Sequence, residues 1–122
     1  MEIELDQPFG DYQIQSYSPG QIKINNQTYH HTIVISLDSL ETDWKISAIE
    51  ELTKLHLEKI LLMKPDILLI GTGATTKFLT SELTSLLHEN NIGIESMTTD
   101  AACRTFNVLS TEKRAVVAIL FL

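Results

Sequence analysis

The segment from Asp66 to Asn107 constrains the fold more than any other part of the chain. It reads as an apolar strand (Ile67, Leu68, Leu69, Ile70), a Gly71-Thr72-Gly73 turn, a helix, a second apolar strand from Ile92 to Met97, and then the polar run Thr98-Thr99-Asp100-Ala101-Ala102-Cys103-Arg104-Thr105. Two strands joined through one crossover helix run parallel. They therefore end at the same edge of a sheet, where open α/β sheets place their ligand crevice. Ile67 to Ile70 is apolar without interruption, as expected for a strand covered on both faces at the centre of a sheet.

The flanking segments extend this pattern in both directions. From Tyr12 to Ser36, short alternating runs are punctuated by Ser18-Pro19-Gly20 and Asn25-Asn26, which predicts two successive antiparallel hairpins, with Tyr29 to Ile35 as a β-branched run. On such a strand His30 and His31 point to opposite faces. Trp44 is read as an aromatic anchor over one edge of the core. Leu52, Leu55, Ile60 and Leu61 fall at helical spacing, Thr53 can cap, and Pro65 stops the chain, so a helix is expected from about 53 to 63. The next helix is capped by Thr80 or Ser81, uses Leu83, Leu86 and Leu87 as its apolar face, and breaks at Asn90-Asn91. Thr98 or Thr99 caps a third helix to about Leu109, with Ala101, Ala102 and Phe106 toward the sheet, and Ala115 to Leu122 reads as a last buried strand.

With 122 residues, the chain suits one domain spanning 1–122, able to bury roughly two-thirds of its unfolded surface without a disulfide or metal staple. Nine basic against 16 acidic residues give a net charge of −7, a field that repels nucleic-acid backbones. No apolar run approaches the roughly 18 residues of a membrane span. Met1-Glu2-Ile3-Glu4-Leu5-Asp6 lacks the pattern of a secretory or organelle leader, and Cys103 is the sole cysteine, so a cytoplasmic protein is expected.

The candidate site is the edge where the two strands end: Gly71, Thr72 and Gly73 on one side, Thr99, Asp100, Cys103 and Arg104 on the other. The glycine loop lacks the Gly-Lys-Ser/Thr ending of a P-loop, and Thr76 stands where a dinucleotide fingerprint has its third glycine. The helix start at Thr98 offers unpaired N–H groups that favour an anion, and Arg104 could supply a bidentate partner. Asp100 opposes this, since it can neutralise the helix dipole and pair with Arg104 four residues on. Cys103 could be a nucleophile, but Ala101-Ala102-Cys103 reads more simply as a close-packed stripe. None of the four histidines lies nearby and no spacing suggests zinc, so no catalytic residue, metal or cofactor is assigned.

Taken together, several blocks resemble the Mth938-like (MTH-type) domain family: Tyr17-Ser18-Pro19-Gly20 with Ile22 and Ile24-Asn25, Trp44, Pro65 to Gly73, Asn91-Ile92-Gly93-Ile94-Glu95 with Met97, and Ala101 to Leu109. The resemblance implies a three-layer α/β fold with a central mixed sheet of about five strands and added N-terminal β-structure. It also implies relatives of uncharacterised activity, among them a mitochondrial assembly factor for respiratory complex I and an animal protein linked to adipogenesis. The expected role is a non-enzymatic protein-interaction or assembly module with another protein as partner, and self-association is compatible with it. The alternative is a binder of, or enzyme acting on, an anionic small molecule at the Gly71 loop and Thr98 helix.

Overall fold

The computed structural model describes residues 11–122, so the leader reading at Met1–Asp6 lies outside the described residues. The chain first forms a three-stranded antiparallel sheet from β1 (Ile14–Ser18), β2 (Gln21–Ile24) and β3 (Gln27–Tyr29). The β2–β3 turn places Asn25 and Asn26 at φ 48° and 69°, the left-handed region that asparagine tolerates and tight hairpins use. The run expected from Tyr29 to Ile35 is broken: β3 ends at Tyr29 and β4 (Ile33–Ser36) begins a second sheet. Between them the Thr32 hydroxyl donates to the Ile46 carbonyl at 2.5 Å while the chain crosses between sheets. His30 and His31 therefore lie outside any strand and both are exposed, correcting the expectation of one inward ring.

The second sheet has five strands in the order β5-β4-β8-β6-β7, where β5 is Leu40–Glu41, β6 Ile67–Thr72, β7 Gly93–Met97 and β8 Val116–Phe121. It is mixed: β6 runs parallel to both β7 and β8, and β4 pairs antiparallel with β5 and β8. The middle position belongs to β8, with β6 beside it. Helix α1 (Lys54–Met63) begins at Thr53, whose hydroxyl and His56 form a reciprocal capping box, and ends at Lys64 in the left-handed region, just before Pro65. Helix α2 (Ser81–Glu89) is capped by Thr80, and α3 (Thr99–Thr111) by Thr98.

Chain direction explains how the helices sort onto the faces. From β6 the chain steps outward through α2 to β7, then passes back through α3 over β6 to β8. Steps in opposite directions, each with the same handedness, put α2 and α3 on opposite faces. The apolar runs serve both sides by alternation. Val34, Leu68, Ile70, Val117, Ile119 and Phe121 join Leu57 and Ile60 of α1 and Leu87 of α2 in one core. Ile33, Ile35, Leu69, Val116, Ala118 and Leu120 face Ala102, Cys103 and Phe106 of α3, with Ile14, Ile22 and Ile24 of the small sheet completing the second core. Each fully buried Ile or Leu contributes about 1.5–3 kcal/mol. Trp44 anchors the first core as expected, stacking on His56 with ring centroids 5.2 Å apart while its indole N–H donates to Glu41.

Candidate functional site

The carboxyl ends of β6, β7 and β8 meet the start of α3, and short-range geometry holds that meeting together. Strand β6 continues through Gly71 and Thr72, so the turn begins only at Gly73, with φ +89°. Gly71 stays in the strand because α3 crosses it too closely for any side chain. A Cβ there would sit 2.9 Å from the Thr99 Cα, 3.0 Å from its Oγ1 and 3.1 Å from the Ala102 Cβ. The glycine expected to approach a ligand thus approaches a helix.

Thr99 fastens the joint from the other side. Its N–H donates to the Gly73 carbonyl at 3.0 Å, and its Oγ1 accepts the Gly73 N–H at 2.7 Å. The same hydroxyl donates to the Phe121 carbonyl at the end of β8, at 2.5 Å. Thr72 plays the matching part within the loop: its hydroxyl reaches the Thr75 and Met97 carbonyls at 2.6 and 3.2 Å and accepts the Lys77 N–H at 3.0 Å. Both threonines are buried, and both spend their polarity on holding backbone.

Of the first-turn donors of α3, the Thr99 N–H goes to Gly73 and the Ala101 N–H to the Thr98 hydroxyl. The Asp100 carboxylate pairs with the Arg104 guanidinium, and both side chains are exposed. An anion at this helix start would meet one remaining N–H, a carboxylate, and an arginine that already has a partner. Cys103 is only 5% exposed. Burial, chiefly, with a contribution from the Asp100 charge, pushes its thiol up to about 12, against a smaller opposing effect of Arg104. A thiol held there is protonated at neutral pH and is a poor nucleophile.

The structure therefore brings Gly73, Thr99, Asp100, Cys103 and Arg104 to one place, with Gly71 and Thr72 beneath them as packed structure. It adds Tyr17, which arrives from the small sheet. Its hydroxyl donates to the Leu122 carbonyl at 3.3 Å, and Thr99, Cys103 and Asp100 all lie within its electrostatic reach. Desolvation first, then the charges of Cys103 and Asp100, raise its pKa above the usual 10.0. Asn107, also outside the candidate set, joins α3 to the small sheet. Its amide donates to the Ile14 carbonyl at 2.7 Å and accepts the Ile14 N–H at 3.2 Å, tying α3 to β1. Both act across long sequence separations, which local patterns do not register.

The two raised acids make an alkaline prediction. Both stay protonated in the fold after their unfolded counterparts have ionised, so their stabilising contribution is intact below pH 9 and declines as pH rises from about 9 toward 12. Urea titrations across that range should show a falling midpoint, with a shallower fall in Cys103→Ala. An unchanged slope in that variant would show that the thiol is not the titrating group.

Among the described residues, no group of three or more His, Cys, Asp or Glu side chains is placed to hold a metal ion. A family model described as "Protein of unknown function (DUF498/DUF598)" matches residues 14–121. The chain belongs to this family. A Francisella tularensis protein named "13 kDa major membrane protein" is 33% identical over 107 residues, covering 87% of each chain. The zebrafish (Danio rerio) "NADH dehydrogenase [ubiquinone] 1 alpha subcomplex assembly factor 3" is 34% identical over 109 residues, covering 88% of this chain but 62% of its own length. In fold, the chain is similar to a Bordetella pertussis Mth938-like domain solved by NMR, with a TM-score of 0.81, 24% identity, and 99% and 92% of the two chains covered. The expected family and fold are thus borne out. Among the described residues, no helix of this DUF498/DUF598 member is long and apolar enough to cross a membrane.

Proposed function

We propose that this chain is a protein-binding module of the assembly-factor kind, which engages a partner protein with the face around the Gly73 loop, the first turn of α3 and Tyr17. The observation that carries this reading is that the polar groups expected to do chemistry are committed internally. Thr72 and Thr99 bind backbone and the Cys103 thiol is buried and protonated. Among the described residues, no buried side-chain nitrogen or oxygen lacks a hydrogen bond, so no orphaned group waits for a substrate. What reaches solvent is a surface: the loop from Ala74 to Phe78, which follows Gly73, and the exposed Asp100–Arg104 pair of the α3 first turns. The assembly-factor name of the zebrafish relative supports the same reading.

The test is affinity purification of tagged protein from its native host, with Arg104→Glu in parallel. An exposed ion pair of this kind is worth less than about 1 kcal/mol, so the variant should melt within a few degrees of the parent. The parent should recover a reproducible protein partner, and Arg104→Glu should lose most of it. Recovery of no reproducible protein would overturn the proposal. A thermal shift with a small anionic metabolite, abolished by Arg104→Ala, would favour the small-molecule reading instead.

A further inference from the structure

Among the described residues, strand β7 has one neighbour, β6, and no strand pairs with its other edge. The Gly93 N–H donates to the Asp66 carbonyl at 3.0 Å, and the Met97 carbonyl accepts from the Thr72 hydroxyl. Residues 93, 95 and 97 therefore turn their backbone groups toward β6. By alternation, the N–H and C=O of Ile94 and Ser96 point outward. No hydrogen bond described for residues 11–122 reaches them. Beside this edge runs a groove of about 300 Å³ lined by Phe78, Leu79, Thr84, His88, Ile94 and Ser96, with Glu95 at its margin. Phe78 is 74% exposed, a large apolar side chain standing in water next to unpaired backbone.

Edges of this kind are usually blunted by lysine, proline, a bulge or extreme shortness. Strand β5, at the opposite edge, is two residues long. Strand β7 has five residues, Gly-Ile-Glu-Ser-Met, with an unbroken register to β6. It carries none of those protections except the charge of Glu95.

We propose that the β7 edge is a docking strand for an extended segment of a partner protein that carries lysine or arginine opposite Glu95, pairs with Ile94 and Ser96, and lays an apolar side chain against Phe78. This adds to the protein-binding reading above, on which it rests, a contact strand adjoining the Gly73 loop at Phe78 and the chemistry of the partner. Charge selects the occupant. A second copy could use both free residues only by pairing Ile94 with Ser96 of its mate, which sets the two Glu95 side chains directly opposite each other. Like charges so placed are destabilising, and each copy already carries −7. A basic segment reverses both signs. Backbone pairing then gives affinity, and the residues opposite Glu95 and Ile94 give specificity.

The test is selection of short random linear peptides on the intact protein, followed by affinity measurement with the recovered peptides. The expected peptides are rich in β-branched residues with a basic residue in one fixed register. Their binding should slow exchange at the Ile94 and Ser96 amides and fall about tenfold in Glu95→Lys and in Ser96→Pro. Proline at 96 removes an N–H that no bond among the described residues uses. If Ser96→Pro melts early, Glu95→Lys and Phe78→Ser carry the test, because both side chains are exposed. Failure to recover peptides, peptides without a basic residue, or binding indifferent to Glu95→Lys and Phe78→Ser would overturn the proposal. So would a dimer by sedimentation that Ser96→Pro abolishes, since the occupant would then be a second copy. A host protein that binds parent and both edge variants equally would sink the docking strand alone and leave the module reading standing.

Discussion

Thr99→Val is expected to destabilise the fold by about 2–4 kcal/mol, because each buried group left without its hydrogen bond costs about 1–3 kcal/mol. Valine keeps the shape of threonine and replaces the hydroxyl with a methyl. That hydroxyl accepts from the Gly73 N–H and donates to the Phe121 carbonyl inside a fully buried site. The substitution therefore leaves a donor in the loop and an acceptor at the end of β8 unpaired, with no room for water to replace the lost group. Total stability of a domain is only about 5–15 kcal/mol, so the loss should be plain in a urea titration. Thr99→Ser keeps the hydroxyl and should recover most of the difference. Equal midpoints for the valine and parent proteins would mean that the bonds seen here do not hold the joint.

Gly71→Ala should cost about 1–3 kcal/mol by overpacking, although it adds one methyl to an interior strand. Two of its three closest neighbours are Thr99 atoms and the third is the Ala102 Cβ, all within 3.1 Å of the new carbon. None is the far end of a flexible side chain. Relief requires α3 to lift off β6, which would stretch the Thr99–Gly73 pair described above. The two substitutions thus act on one joint, and the double variant should fall short of additivity. Thermal melts of the two single variants and the double variant check this. A neutral Gly71→Ala would show that the helix can shift freely.

The elements legible in sequence were those governed by neighbours in the chain. Pro65 stops the chain just after α1, Asn90 and Asn91 end α2, and Thr98, one of the two caps expected, starts α3, because capping depends on residues within one helical turn. The parallel pairing of β6 and β7 followed from the length of the crossover between them. Misread features depended on distant contacts. Gly71 looked like a turn residue because a glycine that admits a helix and one that reverses the chain are identical in sequence, and the helix it admits lies 28 residues away at Thr99. The break between Tyr29 and Ile33 had no local marker, since it is set by two sheets competing for one β-branched run. At the candidate site, the approach of the Gly73 turn to the start of α3 was readable from strand direction. The arrival of Tyr17 was not, because it depends on the small sheet folding over α3.

The position of β8 has a consequence for how the protein is made. It is translated after every other described element, yet it occupies the middle of the five-stranded sheet and is the neighbour shared by β4 and β6. Until it leaves the ribosome, the β4–β5 pair and the β6–β7 pair have no strand between them, and each presents a sticky interior edge. Assembly of the large sheet on a nascent chain must therefore wait until β8 has emerged, and the half-built intermediate is the species most in need of a chaperone.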